Sequence, residues 1–236
     1  MRFPFVLVFA VCCLAALASL CPAAGLAAGA AKQGGGVIAA RRATVPVVVD
    51  GRLDEAEWGL AVWSGQLVDI VDGTPGWLGS RCVLLWDDEA LYASFRLEEL
   101  DLRATLTEHD APIYQDNDVE LFIAGPDAYY ELELNALGTV YDVLWLWEDV
   151  YGPGAVNAPW PDLDRAVNTM RIDGVAGHIH PRGWRTGFIA WNLPGLRTAV
   201  QTSGTLNESS DEDQGWTVEI AIPWVGLERL VLGMAR

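Results

Sequence analysis

The sequence predicts an all-β protein: an antiparallel sandwich of jelly-roll or immunoglobulin-like type with one long loop excursion. Three observations carry that expectation. Short segments alternate apolar and polar residues, which half-buries a strand. They are punctuated by Asp/Gly/Pro turn clusters at hairpin spacing. Long stretches of helical period are few, and many short strands at regular spacing favour a sandwich.

Taken in order, Val47–Val49 favour a strand and run into the turn pair Asp50-Gly51. Asp54 is placed to cap a short helix, with Glu57 completing a capping box and Trp58 anchoring the turn to a core. Arg81 to Trp86 reads as a strand, broken by Asp87-Asp88-Glu89. Leu91 to Leu97 alternates, Leu91, Ala93, Phe95 and Leu97 on one face, and completes a hairpin. Asp118 to Ile123 turns Val119, Leu121 and Ile123 inward. After the turn AGPDA, Tyr130, Leu132 and Leu134 do the same in Tyr129 to Asn135. Thr139 to Trp147 is apolar nearly throughout and reads as a strand covered on both faces. Gly152 to Pro194 is rich in proline and glycine with little periodicity, and is expected to be a long loop. Asn207 to Gln214 reads as a solvated acidic turn. Trp216 to Ile222 alternates again until Pro223 stops it.

The chain opens with Arg2 and a long uncharged apolar run followed by alanine-rich sites, the pattern of a secretory signal peptide. Residues 1–28 are therefore expected to be removed on export, 29–44 to be a flexible lead-in and 45–236 to form the sandwich. Two alternatives stay open: an uncleaved membrane anchor, and lipidation at Cys21, although Leu20 is larger than the residue expected before a lipidated cysteine. Mass spectrometry of the exported protein should find its N-terminus between about Ala24 and about Lys32. Recovery of the intact Met1 form from cytoplasm would contradict export. Arg2 is the only charge in 1–28, so cleavage takes the net charge from −17 to −18. So acidic a chain repels nucleic acid and anionic membrane. The mature chain keeps one cysteine, Cys82, in an apolar strand pattern, which excludes an internal disulfide.

Six segments, VDGRLDEAEW, VLLWDDEALYASF, YQDNDVELFI, YYELELNALGTVYD, LPGLRTAV and GWTVEIAIPW, together resemble the family 9 carbohydrate-binding modules and occur in that family's order. The resemblance spans Val45 to Trp224. It implies a secreted, non-catalytic sugar-binding sandwich acting on plant polysaccharide or oligosaccharide in carbohydrate catabolism, in association with secreted glycoside hydrolases. By resemblance, Tyr114 stands where xylanase-associated members place a tryptophan forming one wall of a sugar sandwich, and Glu120 matches a carboxylate that bonds the sugar. Glu131 departs from the pattern, which places an arginine there. The family's second wall follows GWTVEIAIPW, but this chain ends soon afterwards at LERLVLGMAR. Trp191 or another loop tryptophan would have to substitute.

Sugar recognition needs flat apolar surfaces and hydroxyl partners, and eleven tryptophans supply ample surface. Trp58, Trp86, Trp216 and Trp224 fit core or anchor positions. Trp160, Trp184 and Trp191 lie in the loop excursion, while Trp63 and Trp77 flank a loop. Strand parity puts Asp118, Glu120, Glu131 and Glu133 on one face. Four such carboxylates repel unless screened, protonated or bridged. That face is either solvated or a Ca²⁺ site, with Asp118 and Glu133 as ligands. Two further functions fit the residues: a glycoside hydrolase using two of these carboxylates, and a haem-binding relative of the sandwich with His178, His180 and Met170 as axial candidates.

Overall fold

The computed structural model describes residues 6–12, 37–69, 73–160, 162–164, 167–175 and 178–231. Its strands are β1 (Val6–Cys12), β2 (Arg41–Arg42), β3 (Ser80–Trp86), β4 (Ala90–Leu97), β5 (Asp118–Ala124), β6 (Ala128–Asn135), β7 (Val140–Trp147), β8 (Thr169–Ile172), β9 (Gly174–Val175), β10 (His178–Ile179), β11 (Arg185–Phe188), β12 (Arg197–Ser203) and β13 (Gly215–Pro223). Short helical turns are α1 (Ala56–Leu60), α2 (Glu148–Tyr151) and α3 (Glu228–Val231). One sheet runs β1-β5-β6-β7-β11-β8 and the other β12-β13-β4-β3-β2, with β9 and β10 forming a separate hairpin. The pairing is antiparallel apart from β2 on β3. Among the described residues no helix is long and apolar enough to cross a membrane.

Alternation in the sequence becomes the two inner faces. Leu91, Ala93, Phe95 and Leu97 of β4 and Val218, Ile220 and Ile222 of β13 meet Val119, Leu121 and Ile123 of β5, with Tyr130, Leu132 and Leu134 of β6, in one buried cluster. The expected parity therefore holds on every one of these strands. β7 is covered on both sides, as its continuous apolar run requires. Leu144 and Leu146 enter the main core, while Tyr141, Val143 and Trp145 pack with Ile113 beneath the loop before β5.

The opening stretch behaves differently from its local reading. Val47–Val49 pairs with no strand. Val47 is nevertheless buried on the outer face of the second sheet with Trp58, Val83, Leu85 and Tyr92. The capping box does not form either: α1 begins after Glu55 without a side-chain cap. Glu57 reaches instead across the chain, accepting bonds from Thr44 N–H (3.1 Å) and Thr44 Oγ1–H (2.6 Å). A tertiary partner has won over the local one. The anchor of the stretch is Glu219 on β13. Its Oε2 accepts the N–H groups of Asp50 (2.9 Å) and Gly51 (2.8 Å), and its Oε1 accepts the Trp58 indole N–H (2.8 Å). Gly51 has φ +85°, and a Cβ there would lie 2.7 Å from the Val200 carbonyl carbon, so only glycine fits.

The excursion from Gly152 to Pro194 is not wholly loop. β8 and β11, four residues each, extend the first sheet past β7. Gly187 interrupts the apolar pattern of β11 because a Cβ there would sit 2.8 Å from the Trp145 ring. At the opposite edge Val6–Cys12 of the expected export signal pairs with β5, Val6 opposite Ala124 and Cys12 opposite Asp118. The rest of 1–28 lies outside the described residues.

Candidate binding face

The outer face of the first sheet gathers the polar and aromatic residues. Register fixes it: Glu120 stands opposite Glu133, Phe122 opposite Glu131, and Asp118 opposite Asn135. On the other side of β6, Tyr129 stands opposite Trp145, Glu131 opposite Val143, and Glu133 opposite Tyr141. β11 then brings Arg185 opposite Trp147 and Gly187 opposite Trp145.

Asp118, Glu133, Tyr141 and Trp145 form the buried floor, while Glu120, Phe122, Tyr129 and Glu131 are half-buried. Tyr114, on the short turn before β5, is 44% exposed and meets the Tyr141 ring edge-on at 6.4 Å. Tyr129 stacks on Trp145 at 5.8 Å and 13°. The Trp145 indole N–H donates to Glu131 Oε2. Arg185 sits among the rings of Tyr129, Trp145 and Trp147, at 5.8, 5.4 and 5.4 Å, and its Nε–H donates to the Tyr129 hydroxyl at 2.6 Å. Arg185 comes from a strand more than fifty residues after Glu131, in the segment expected to be loop.

The carboxylates load the face electrostatically. Burial, reinforced by the charges of Glu120 and Asp116, pushes Asp118 up to about 9. Burial and the neighbouring Glu131, Asp118 and Glu120 push Glu133 well above the carboxylate range. Glu131 rises too, chiefly from burial, opposed by the Trp145 bond and by Arg185. Both Asp118 oxygens and Glu133 Oε2 are buried without a hydrogen-bond partner. Burial and mutual repulsion thus favour the protonated forms of Asp118 and Glu133. Among the described residues, the three-residue grouping of metal-ligand atoms lies elsewhere, at His109, Asp110 and Asp142.

The face unites Tyr114, Glu120, Glu131, Asp118 and Glu133, but not Trp191. That ring packs edge-on against Tyr130, at 5.9 Å, on the core side of the sheet. Of the haem candidates, the His180 ring lies tilted against Trp147, at 4.6 Å and 39°, and its Nδ1 accepts the Arg182 N–H. Met170 packs among Tyr141, Val143 and Trp145. Tyr129, Trp145, Trp147 and Arg185 were not singled out from the sequence. Parity alone would have placed Tyr129 with Glu131, whereas Trp145 and Arg185 join only once β7 and β11 are aligned.

Fold and face together define an antiparallel β-sandwich whose first sheet sets half-buried aromatic rings beside carboxylates and one buried guanidinium. Residues 81–144, from β3 into β7, match the model of carbohydrate-binding family 9, so this part of the chain is family-9-like. The match covers Tyr114 and the four carboxylates and ends before Arg185 and Trp191. A crystal structure of a candidate carbohydrate-binding protein from Bacteroides uniformis is similar at 14% identity, over 80% of this chain and 73% of that one, with a TM-score of 0.49. No curated protein matches the chain.

Proposed function

We propose that the chain binds carbohydrate without cleaving it, through the outer face of β5, β6 and β7. The carrying observation is the convergence of Tyr114, Phe122 and Tyr129 with Glu120 and Glu131 inside the family-9-like segment. Aromatic rings suit the C–H face of a pyranose, and the acids suit its hydroxyls. Arg185 would hold Tyr129 and orient Glu131. The ligand class is plant-type polysaccharide or its oligosaccharides. An exported protein would meet such a ligand outside the cell, alongside secreted glycoside hydrolases.

Calorimetry of the purified protein against xylan, cellulose and their oligomers tests this, with reducing-end release assayed in parallel. Binding is expected without release. Tyr114→Ala should weaken it by about 1 kcal/mol, a several-fold loss of affinity. Glu120→Gln should cost about 1.5–3 kcal/mol if its charged hydrogen bonds are made in the complex. The absence of heat with any glycan, from folded protein, would overturn the proposal.

A further inference from the structure

A second constellation lies on the other side of the same sheet. His109 and Asp110 lie within the long connection between β4 and β5, and Asp142 comes from β7 with its side chain turned away from the acidic face. One ligand atom from each lies within 4.8 Å of the others. His109 Nε2 is 3.2 Å from Asp142 Oδ1 and 3.4 Å from Asp110 Oδ1. The amide oxygen of Asn192 also meets His109 Nε2.

The state of Asp142 separates this cluster from a chance meeting of surface charges. Asp142 is 0% exposed. Its Oδ2 is held by the Leu193 N–H (2.9 Å) and the Tyr130 hydroxyl (3.1 Å). Its Oδ1 is buried, has no hydrogen-bond partner, and faces the imidazole. Asp110 Oδ1 is likewise buried without a hydrogen-bond partner. A fixed, orphaned carboxylate oxygen beside a second one and an imidazole nitrogen costs free energy unless something cationic joins them.

We propose that His109, Asp110 and Asp142 form a binding site for a divalent metal of borderline hardness, best suited to Zn²⁺, with Asn192 Oδ1 within reach as a fourth ligand. The donor set argues for the ion. An imidazole nitrogen with two carboxylate oxygens suits zinc, whereas calcium prefers six to eight oxygens. A dication balances the two carboxylates. Tyr130 and the Leu193 amide already supply the outer hydrogen bonds that orient a ligating carboxylate. The ion would pin residues 109–110 and the 191–193 loop to β7.

The test uses the full chain, freed of metal by chelation and titrated with Zn²⁺, Ca²⁺ and Co²⁺. Zinc is expected to raise the melting temperature at micromolar concentration, because an ion that binds only the folded state stabilises it by mass action. Cobalt is expected to give visible d–d absorption that zinc displaces. His109→Ala, at a half-exposed position, should leave the fold intact and weaken zinc at least tenfold. Asp142→Asn should do the same. His180→Ala serves as a control and should change nothing. A zinc response unchanged by His109→Ala, a response to calcium alone, or no response to any of the ions would overturn the site. The last result would leave His109 as an ion-pair partner of the two aspartates.

Discussion

Replacing Glu219 by alanine is expected to lower stability by about 3–5 kcal/mol. It would leave the Gly51 N–H and the Trp58 indole N–H buried without an acceptor, each at a cost of about 1–3 kcal/mol before relaxation, and would also remove the acceptor of the part-buried Asp50 N–H. Three otherwise separate parts converge on that carboxylate: the Asp50-Gly51 turn, the Trp58 anchor and the centre of β13. Glu219→Gln keeps one acceptor oxygen but points an amide N–H₂ at a donor, so it should fall between wild type and alanine. Urea unfolding followed by tryptophan fluorescence measures both. Equal midpoints for wild type and Glu219→Ala would mean that the opening stretch is held by apolar burial alone.

The second large effect is an unusual dependence on pH. The buried acids on the outer face are raised in the folded state, Asp118 from 3.8 to about 9, with Glu133 and Glu131 raised alongside it. A carboxyl group with a raised folded pKa binds its proton more tightly when native. Its contribution is fully present below the unfolded pKa and is lost as pH rises through the folded one. Stability should therefore fall between about pH 5 and about pH 9, by several kcal/mol in all. Below that window the opposite group takes over. Glu148, held down chiefly by Arg171, and Glu57, held down chiefly by Thr44, lose their bonds on protonation. An optimum near pH 5 results. Asp118→Asn and Glu133→Gln should flatten the alkaline slope and raise the melting temperature at pH 8. Bridging by Ca²⁺ at Asp118 and Glu133 predicts the contrary: a flat profile, and a melting temperature that rises with added Ca²⁺ in the wild type but not in Asp118→Asn. One set of melting curves with and without added Ca²⁺, on both proteins, separates protonated acids from a calcium site.

What the sequence made legible follows from which interactions are local. Period-two alternation encodes the face of each strand without reference to its neighbours. Hence the inward sets on β4, β5, β6 and β13 and the acidic outward set were readable residue by residue. Local signals misled where a distant partner competed. Glu57 could cap its own helix but bonds Thr44, and Val47–Val49 has strand propensity but no strand beside it. β8 and β11 were hidden because four residues with a glycine under a tryptophan ring leave no periodicity to detect. With β11 hidden, Arg185 could not be placed, and the face read as purely acidic. Trp191 was assigned to that face for want of a register. Its packing on Tyr130 depends on the path of the 189–193 loop, which no spacing rule encodes.

The margin of the second sheet has a consequence for solubility. The outer edge of β3 is covered in pieces: the backbone N–H groups of Ser64 and Leu67 donate to the Cys82 and Ser80 carbonyls at 2.8 Å, and the two-residue strand Arg41–Arg42 runs parallel to it. So short a strand gives a second copy little to zip onto. Its two guanidinium groups add charge, one tied to Asp88 at 2.5 Å and set against the Trp86 ring. Charge and brevity at a sheet margin are the usual deterrents to edge-to-edge aggregation. Piecewise cover and charge along this margin leave a second copy of the chain little continuous edge on which to extend the sheet.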